Sequence, residues 1–178
     1  MGETLTVKPV LPILGLISRH PDALVWGRQQ VTSFWGGELL VSPPLPFSHT
    51  RYYEKEMGTG LLYQLAAFKQ TIDPGDIAEV KLHTNALERE FIGLSKHPEL
   101  RPLNLDPGYL GALKFVLATT KDAAHRIFLG RGIFAEVTLL FQDGAWREEH
   151  WTYPNFRDAP YKSFLLECRK YYLQLTDN

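Results

Sequence analysis

At 178 residues, with 44% hydrophobic and 22% charged side chains, the chain is long enough for a sizeable core and too balanced for a disordered, collagen-like or coiled-coil protein. Lys plus Arg number 19 against 20 Asp plus Glu, a formal net charge of −1, so no global field draws the protein to nucleic acid or to an anionic membrane, and any anion site must be local. The single cysteine, Cys168, excludes an internal disulfide and the usual zinc spacings.

The first apolar stretch, "VLPILGLIS" at 10–18, is too short, and too broken by Pro9 and Pro12, to span a bilayer, and no small-residue cleavage site follows it. It suits a buried strand in a cytoplasmic protein. "RHPDALVWGRQQVTSFWGG" then predicts a helix with Leu24, Val31 and Trp35 on one stripe and glycines stopping it. "ELLVS" reads as a second strand, "SHTRYYEKEMGTG" as a loop and "LLYQLAAFKQ" as a third strand. Asp73 caps the next helix with Pro74 at its first position, and Ile77, Val80, Leu87 and Phe91 follow at helical spacing. With "RPLNLDPGYL" as a fourth short strand, the order predicts an α+β fold with a ferredoxin-like βαββαβ N-terminal part.

"LKFVLATT", "HRIFLG", "IFAEVTLLF" and the start of "AWREEHW" extend it as an antiparallel β-meander, and a helix from about 159 to 175 closes the chain, with Tyr161, Phe164, Leu165, Cys168, Tyr172 and Leu175 as its stripe. Residues 1–178 form one domain whose weakest joint is 93–100, without internal repeats or low-complexity tracts.

Two turns set registers in the C-terminal strands. Asp143-Gly144 is a two-residue hairpin signal that places Phe141 opposite Trp146, Leu139 opposite Glu148 and Val137 opposite His150. A three-residue loop, Gly130-Arg131-Gly132, keeps the apolar residues of the other hairpin on one face and sets Ile127 against Ala135, Phe128 against Phe134, Leu129 against Ile133 and Arg126 against Glu136. The opposite face then mixes Phe128, Phe134, Arg126, Glu136, Thr138 and Trp151, either as a solvated surface or as the floor of a ligand site. His125 leans toward the other side of the sheet or the strand's entrance.

Candidate chemistry concentrates in "TTKDAAHR". Hydroxyls, the Lys121 ammonium, Asp122 and backbone N–H groups sit just before Arg126, whose guanidinium is a forked donor for phosphate or carboxylate, and Lys114 adds a second ammonium. His125 is the candidate acid–base group, with Asp106 as a carboxylate to share proton handling. The six histidines never come at HxxxH or HxH spacing, so no metal ligands are assigned, and no cofactor either. "EMGTGLLYQL" lacks the GK[ST] of a phosphate loop, "LGLISRH" lacks a GxSxG elbow, and Glu88 and Glu90 do not share a helix face. "TRYYEKEMG" is an aromatic, acidic loop placed to act as a lid.

The strings "PFSHTRYYEKEMGTGL", "LHTNALEREF", "RPLNLDPGYL", "FVLATTKDAAHRIFLGRGIFAEVTL" and "WTYPNFRDAPYKSFLLECR" together resemble a bacterial family designated domain of unknown function 4416, in order over nearly the whole chain. The resemblance implies a small, stand-alone cytoplasmic bacterial protein. It assigns no residue a role, and a GTP-binding reading is not carried over because the phosphate loop and an NKxD motif are both lacking. The leading expectation is a protein that binds a small anionic, phosphate-bearing or nucleotide-like molecule through Lys114, Lys121, Asp122, Arg126 and Glu136, with Tyr53, Tyr109 and Trp151 against its flat part. The alternatives are a non-catalytic interaction or homodimerisation module, and an acid–base hydrolase using His125 and a carboxylate.

Overall fold

The buried run at the start of the chain becomes strand β1 (Leu11–Ser18), which no solvent reaches because it has neighbours on every side. A computed structural model describes residues 2–176. β4 (Leu62–Phe68) pairs antiparallel with one edge of β1 and β5 (Asn104–Leu110) with the other. Alternate β1 side chains serve two cores, as the period of two requires. Leu14 and Leu16 pack with Leu24, Val31 and Trp35 of α1 (Pro21–Trp35) and with Leu87 and Phe91 of α3 (Ile77–Leu94). Leu11, Ile13 and Ile17 pack on the other face with Tyr161, Leu165, Cys168 and Tyr172 of α4 (Ala159–Thr176). Burial pushes the Cys168 thiol up, away from thiolate chemistry.

The α+β expectation holds: the structure is a single antiparallel sheet between helices, ordered β2-β4-β1-β5-β6-β8-β7, where β2 is Glu38–Val41, β6 Lys114–Thr119, β7 Ile127–Gly130 and β8 Ile133–Gln142. The short β3 (Leu45–Pro46) pairs with β4, and β9 (Ala145–Glu148) with β8. Inside the expected loop lies one turn of helix, α2 (Glu54–Met57), anchored by buried Met57.

The meander needs correction. β6 pairs with β8, and β7 lies outside both at the edge. Burial decides this: Val116, Leu117 and Ala118 of β6 need covered neighbours, whereas Ile127, Phe128 and Leu129 of β7 remain exposed.

Asp143 and Gly144 both adopt positive φ, as a two-residue hairpin turn demands, and Phe141 opposes Trp146 and Leu139 opposes Glu148. β9 ends at Glu148, so Val137 and His150 form no ladder pair. In the other hairpin Ile127 opposes Ala135 and Phe128 opposes Phe134, but Gly130 replaces Leu129 opposite Ile133. A bulge at Leu129 absorbs one residue and leaves Arg131-Gly132, both at positive φ, as the turn.

Candidate functional site

β5 is lined differently on its two edges. It pairs with β1 from Asn104 to Leu110, yet with β6 only from Gly108 to Leu110. Gly108 permits that junction, since a Cβ there would lie 2.2 Å from the Val116 carbonyl oxygen. Pro107, next along, has no N–H to offer a neighbouring strand. Below it the two strands part, and helix α3 supplies what β6 does not. The Leu105 N–H donates to Glu88 Oε1 at 2.7 Å, and Lys81 Nζ donates to the Leu105 carbonyl at 2.7 Å and to Asp106 Oδ1 at 2.9 Å. Lys81, Thr84 and Glu88 form a buried polar stripe at helical spacing.

The gap borders a cavity of about 300 Å³, at the lower end of the range for small-molecule sites. Its lining comes from both sides of the sheet: Lys81, Glu88 and Arg89 of α3 on one, Tyr53, Tyr63 and Asn155 on the other. Gly15 makes room for the Tyr63 hydroxyl, which would lie 2.3 Å from a Cβ at that position. Burial, and then the charge of Asp106, push this phenol well up. Asp106 itself is pushed up by burial, but Lys81 and the Asn104 amide, which donates to its Oδ2 at 2.7 Å, outweigh that and hold the carboxyl below its ordinary value. Its neighbour Glu88 goes the other way, raised by burial that the Lys81 charge only partly offsets.

Five cationic side chains line the cavity (Lys81, Arg89, Arg101, Lys121, Arg126) against three carboxylates (Glu88, Asp106, Glu136). Among the described residues Arg89 and Lys121 have no ion-pair partner; the Lys121 ammonium lies 3.9 Å from the Tyr52 ring centroid and 5.2 Å from that of Tyr53. Arg101 donates to Asn104 Oδ1 at 2.9 Å and pairs with Glu56 at 3.1 Å, but its Nε is buried without an acceptor. So is Nδ2 of Asn155, a residue only 4% exposed. Two of the four buried side-chain atoms without a partner among the described residues therefore belong to residues that line one cavity.

A family model described as a domain of unknown function (DUF4416) matches residues 8–172. The chain belongs to the DUF4416 family. No curated protein and no solved structure matches it. The matched stretch runs from before β1 into α4, so the whole cavity of this DUF4416 chain lies within the family region.

Of the residues singled out from the sequence, Tyr53, Asp106, Lys121, Arg126 and Glu136 line the cavity together. Lys114 lies exposed at the far end of β6, Asp122 is exposed beyond Lys121, and Tyr109 packs beside Ala118 and Ile133. His125 and Trp151 stack on each other at 5.3 Å just outside the lining, and the Trp151 indole donates to the Val137 carbonyl at 2.9 Å. Arg126 and Glu136 do meet, Nε to Oε2 at 2.9 Å, but His125 does not turn to the other face: its Nε2 reaches the same oxygen at 3.0 Å. Nor is that face solvated at its centre, with Glu136 and Thr138 both buried. Each Arg126 nitrogen already donates, Nη1 to the Lys121 carbonyl and Nη2 to the Tyr153 hydroxyl, both at 2.9 Å. Lys81, Arg89, Arg101 and Asn155 are additions that the structure makes, and Glu88, weighed in the sequence only as half of a carboxylate pair, joins them; the polar stripe on α3 is the signal for Lys81 and Glu88.

Proposed function

We propose that the cavity binds a small molecule carrying a phosphate-like or carboxylate group joined to a flat part. One observation supports this above the others: Arg101 Nε and Asn155 Nδ2 are buried donors that find no acceptor among the described residues, and both belong to residues that line the cavity. Leaving such a donor unpaired costs about 1–3 kcal/mol, which the oxygens of an anion would return. Lys121 and Arg89 add positive charge and form no ion pair among the described residues, and Tyr53, Phe47 and Phe156 offer flat apolar surface. Arg126 acts as a positioning residue, fixing the Lys121 carbonyl and the Tyr153 hydroxyl. The hydrolase alternative is weaker, because the oxygen that His125 reaches is shared with Arg126 and His125 lies outside the lining.

Phenyl phosphate combines both features and is the probe. It should raise the melting temperature of the wild type more than inorganic phosphate does, and phenol should leave it unchanged. Lys121→Ala and Asn155→Asp should each remove the rise. Equal rises in the wild type and both variants would overturn the reading.

A second reading, self-association, is supported by the exposed Ile127, Phe128 and Leu129 on edge strand β7, since unpaired edges with apolar side chains template pairing. The strand order β2-β4-β1-β5, with α1 and α3 packed on one face, likewise supports a ferredoxin-like arrangement for the N-terminal part.

A further inference from the structure

Away from the cavity the fold brings together two strings of one pattern, Ser18-Arg19-His20-Pro21-Asp22 and Ser95-Lys96-His97-Pro98-Glu99. The first string ends β1 and opens α1; the second leaves α3 on the way to β5. The imidazoles of His20 and His97 stack, centroids 3.6 Å apart and planes within 10°. Each reaches across to the other string's acid: His20 Nε2 lies 2.9 Å from Glu99 Oε2, and His97 Nε2 lies 3.0 Å from Asp22 Oδ2. Ligand-capable atoms of His20, Asp22 and His97 all lie within 4.8 Å of one another.

We propose that these paired strings bind a divalent transition ion of the Zn²⁺ type, with His20 and His97 as nitrogen ligands and Asp22 as an oxygen ligand. Two imidazoles with a carboxylate suit Zn²⁺, Co²⁺ or Ni²⁺ rather than Mg²⁺ or Ca²⁺, which take oxygen ligands. Ligands about 2.0–2.1 Å from a tetrahedral ion stand roughly 3.4 Å from one another. The present spacing, within 4.8 Å, is wider than that, so ion binding requires the side chains of His20, His97 and Asp22 to turn toward one point. Each histidine precedes a proline, which confines it to extended backbone and limits the ordering cost of the site. Asp22 is 71% exposed at its side chain, so an ion enters directly from solvent. Glu99 stays beside His20 and Arg19, whose Nη1 lies 3.4 Å from its Oε1, and serves as the carboxylate that orients the His20 ring. The bound ion would tie the start of α1 to the segment that carries Arg101 into the cavity. Ser18 Oγ already joins the two by donating to the Pro102 carbonyl at 2.7 Å.

Tag-free protein, stripped with a chelator and titrated with Co²⁺, tests this. A single equivalent should give an intense visible band of tetrahedral Co²⁺, displaced by Zn²⁺, with a rise in melting temperature that Mg²⁺ does not produce. His97→Gln and Asp22→Asn should lose both signals. The exposed Asp22 can be changed without touching the core, so its variant, matching the wild type in metal-free melting, keeps the test valid even if His97→Gln is unstable. No band in the wild type, or bands of wild-type strength in both variants, would overturn the proposal and leave two ordinary histidine–carboxylate pairs.

Discussion

β5 borders two regions built on different physics. Toward β1 it is held by a full antiparallel ladder between apolar layers; toward β6 its lower half is held by Lys81 and Glu88 of α3. The first region gains from area removed from water and tolerates any side chain of suitable shape. The second depends on particular charges at particular atoms, and where the ladder is missing a cavity opens.

Lys81 offers the sharpest break. Its side chain is 5% exposed, so Lys81→Met should strand the Asp106 and Glu88 carboxylates and cost about 3–5 kcal/mol by urea unfolding. Leu14→Ala on the ladder side should cost a similar amount, about 2–5 kcal/mol, through a cavity. Acid should separate the two. The Asp106 carboxyl is lowered in the folded state, so its contribution is present above the ordinary aspartate value of about 3.9 and is lost as pH falls through the lower folded value. Glu88 has the opposite sign: raised in the folded state, its contribution is full below the ordinary glutamate value and declines as pH rises through the folded one. The Leu14→Ala deficit should therefore be flat with pH, whereas the Lys81→Met deficit should shrink on acidification. A flat Lys81→Met deficit would mean that the pairing matters less than the packing of the lysine stem.

Gly15→Ala acts where the regions touch. The added Cβ meets the Tyr63 hydroxyl, and a loss of about 1–3 kcal/mol should follow. Tyr63→Phe in the same chain should recover part of it, and no recovery would place the clash elsewhere. The smallest effect belongs to β7, which neither region uses. Phe128→Lys should change monomer stability by no more than about 0.5 kcal/mol. It should also abolish any concentration-dependent association seen by sedimentation.

Much of the ladder side was legible in the sequence. The unbroken apolar run 11–18 has no amphipathic alternative, the α1 stripe of Leu24, Val31 and Trp35 is buried as its spacing demands, and Asp143-Gly144 set its hairpin register. Asp73 also caps as expected, accepting from the Gly75 N–H, although the chain makes a turn of 3-10 helix before α3 starts at Ile77. The open side was legible only in fragments. Arg126 and Glu136 could be paired because one hairpin fixes both, a local matter. That β6 would bypass β7 for β8 depends on which strand gains more burial, a competition no short string records. Lys81 and Glu88 read as ordinary helix-surface charges until β5 is seen to need them, and His20 and His97 meet only because β1 and the approach to β5 run side by side.

The Leu105 amide carries a last consequence. A strand-interior N–H guarded by a neighbouring backbone exchanges with deuterium only when whole strands part. At Leu105 the guard is one carboxylate oxygen of Glu88. Its exchange rate should follow side-chain motion in the cavity rather than unfolding of the sheet, so this single proton reports from inside on whether anything has been bound.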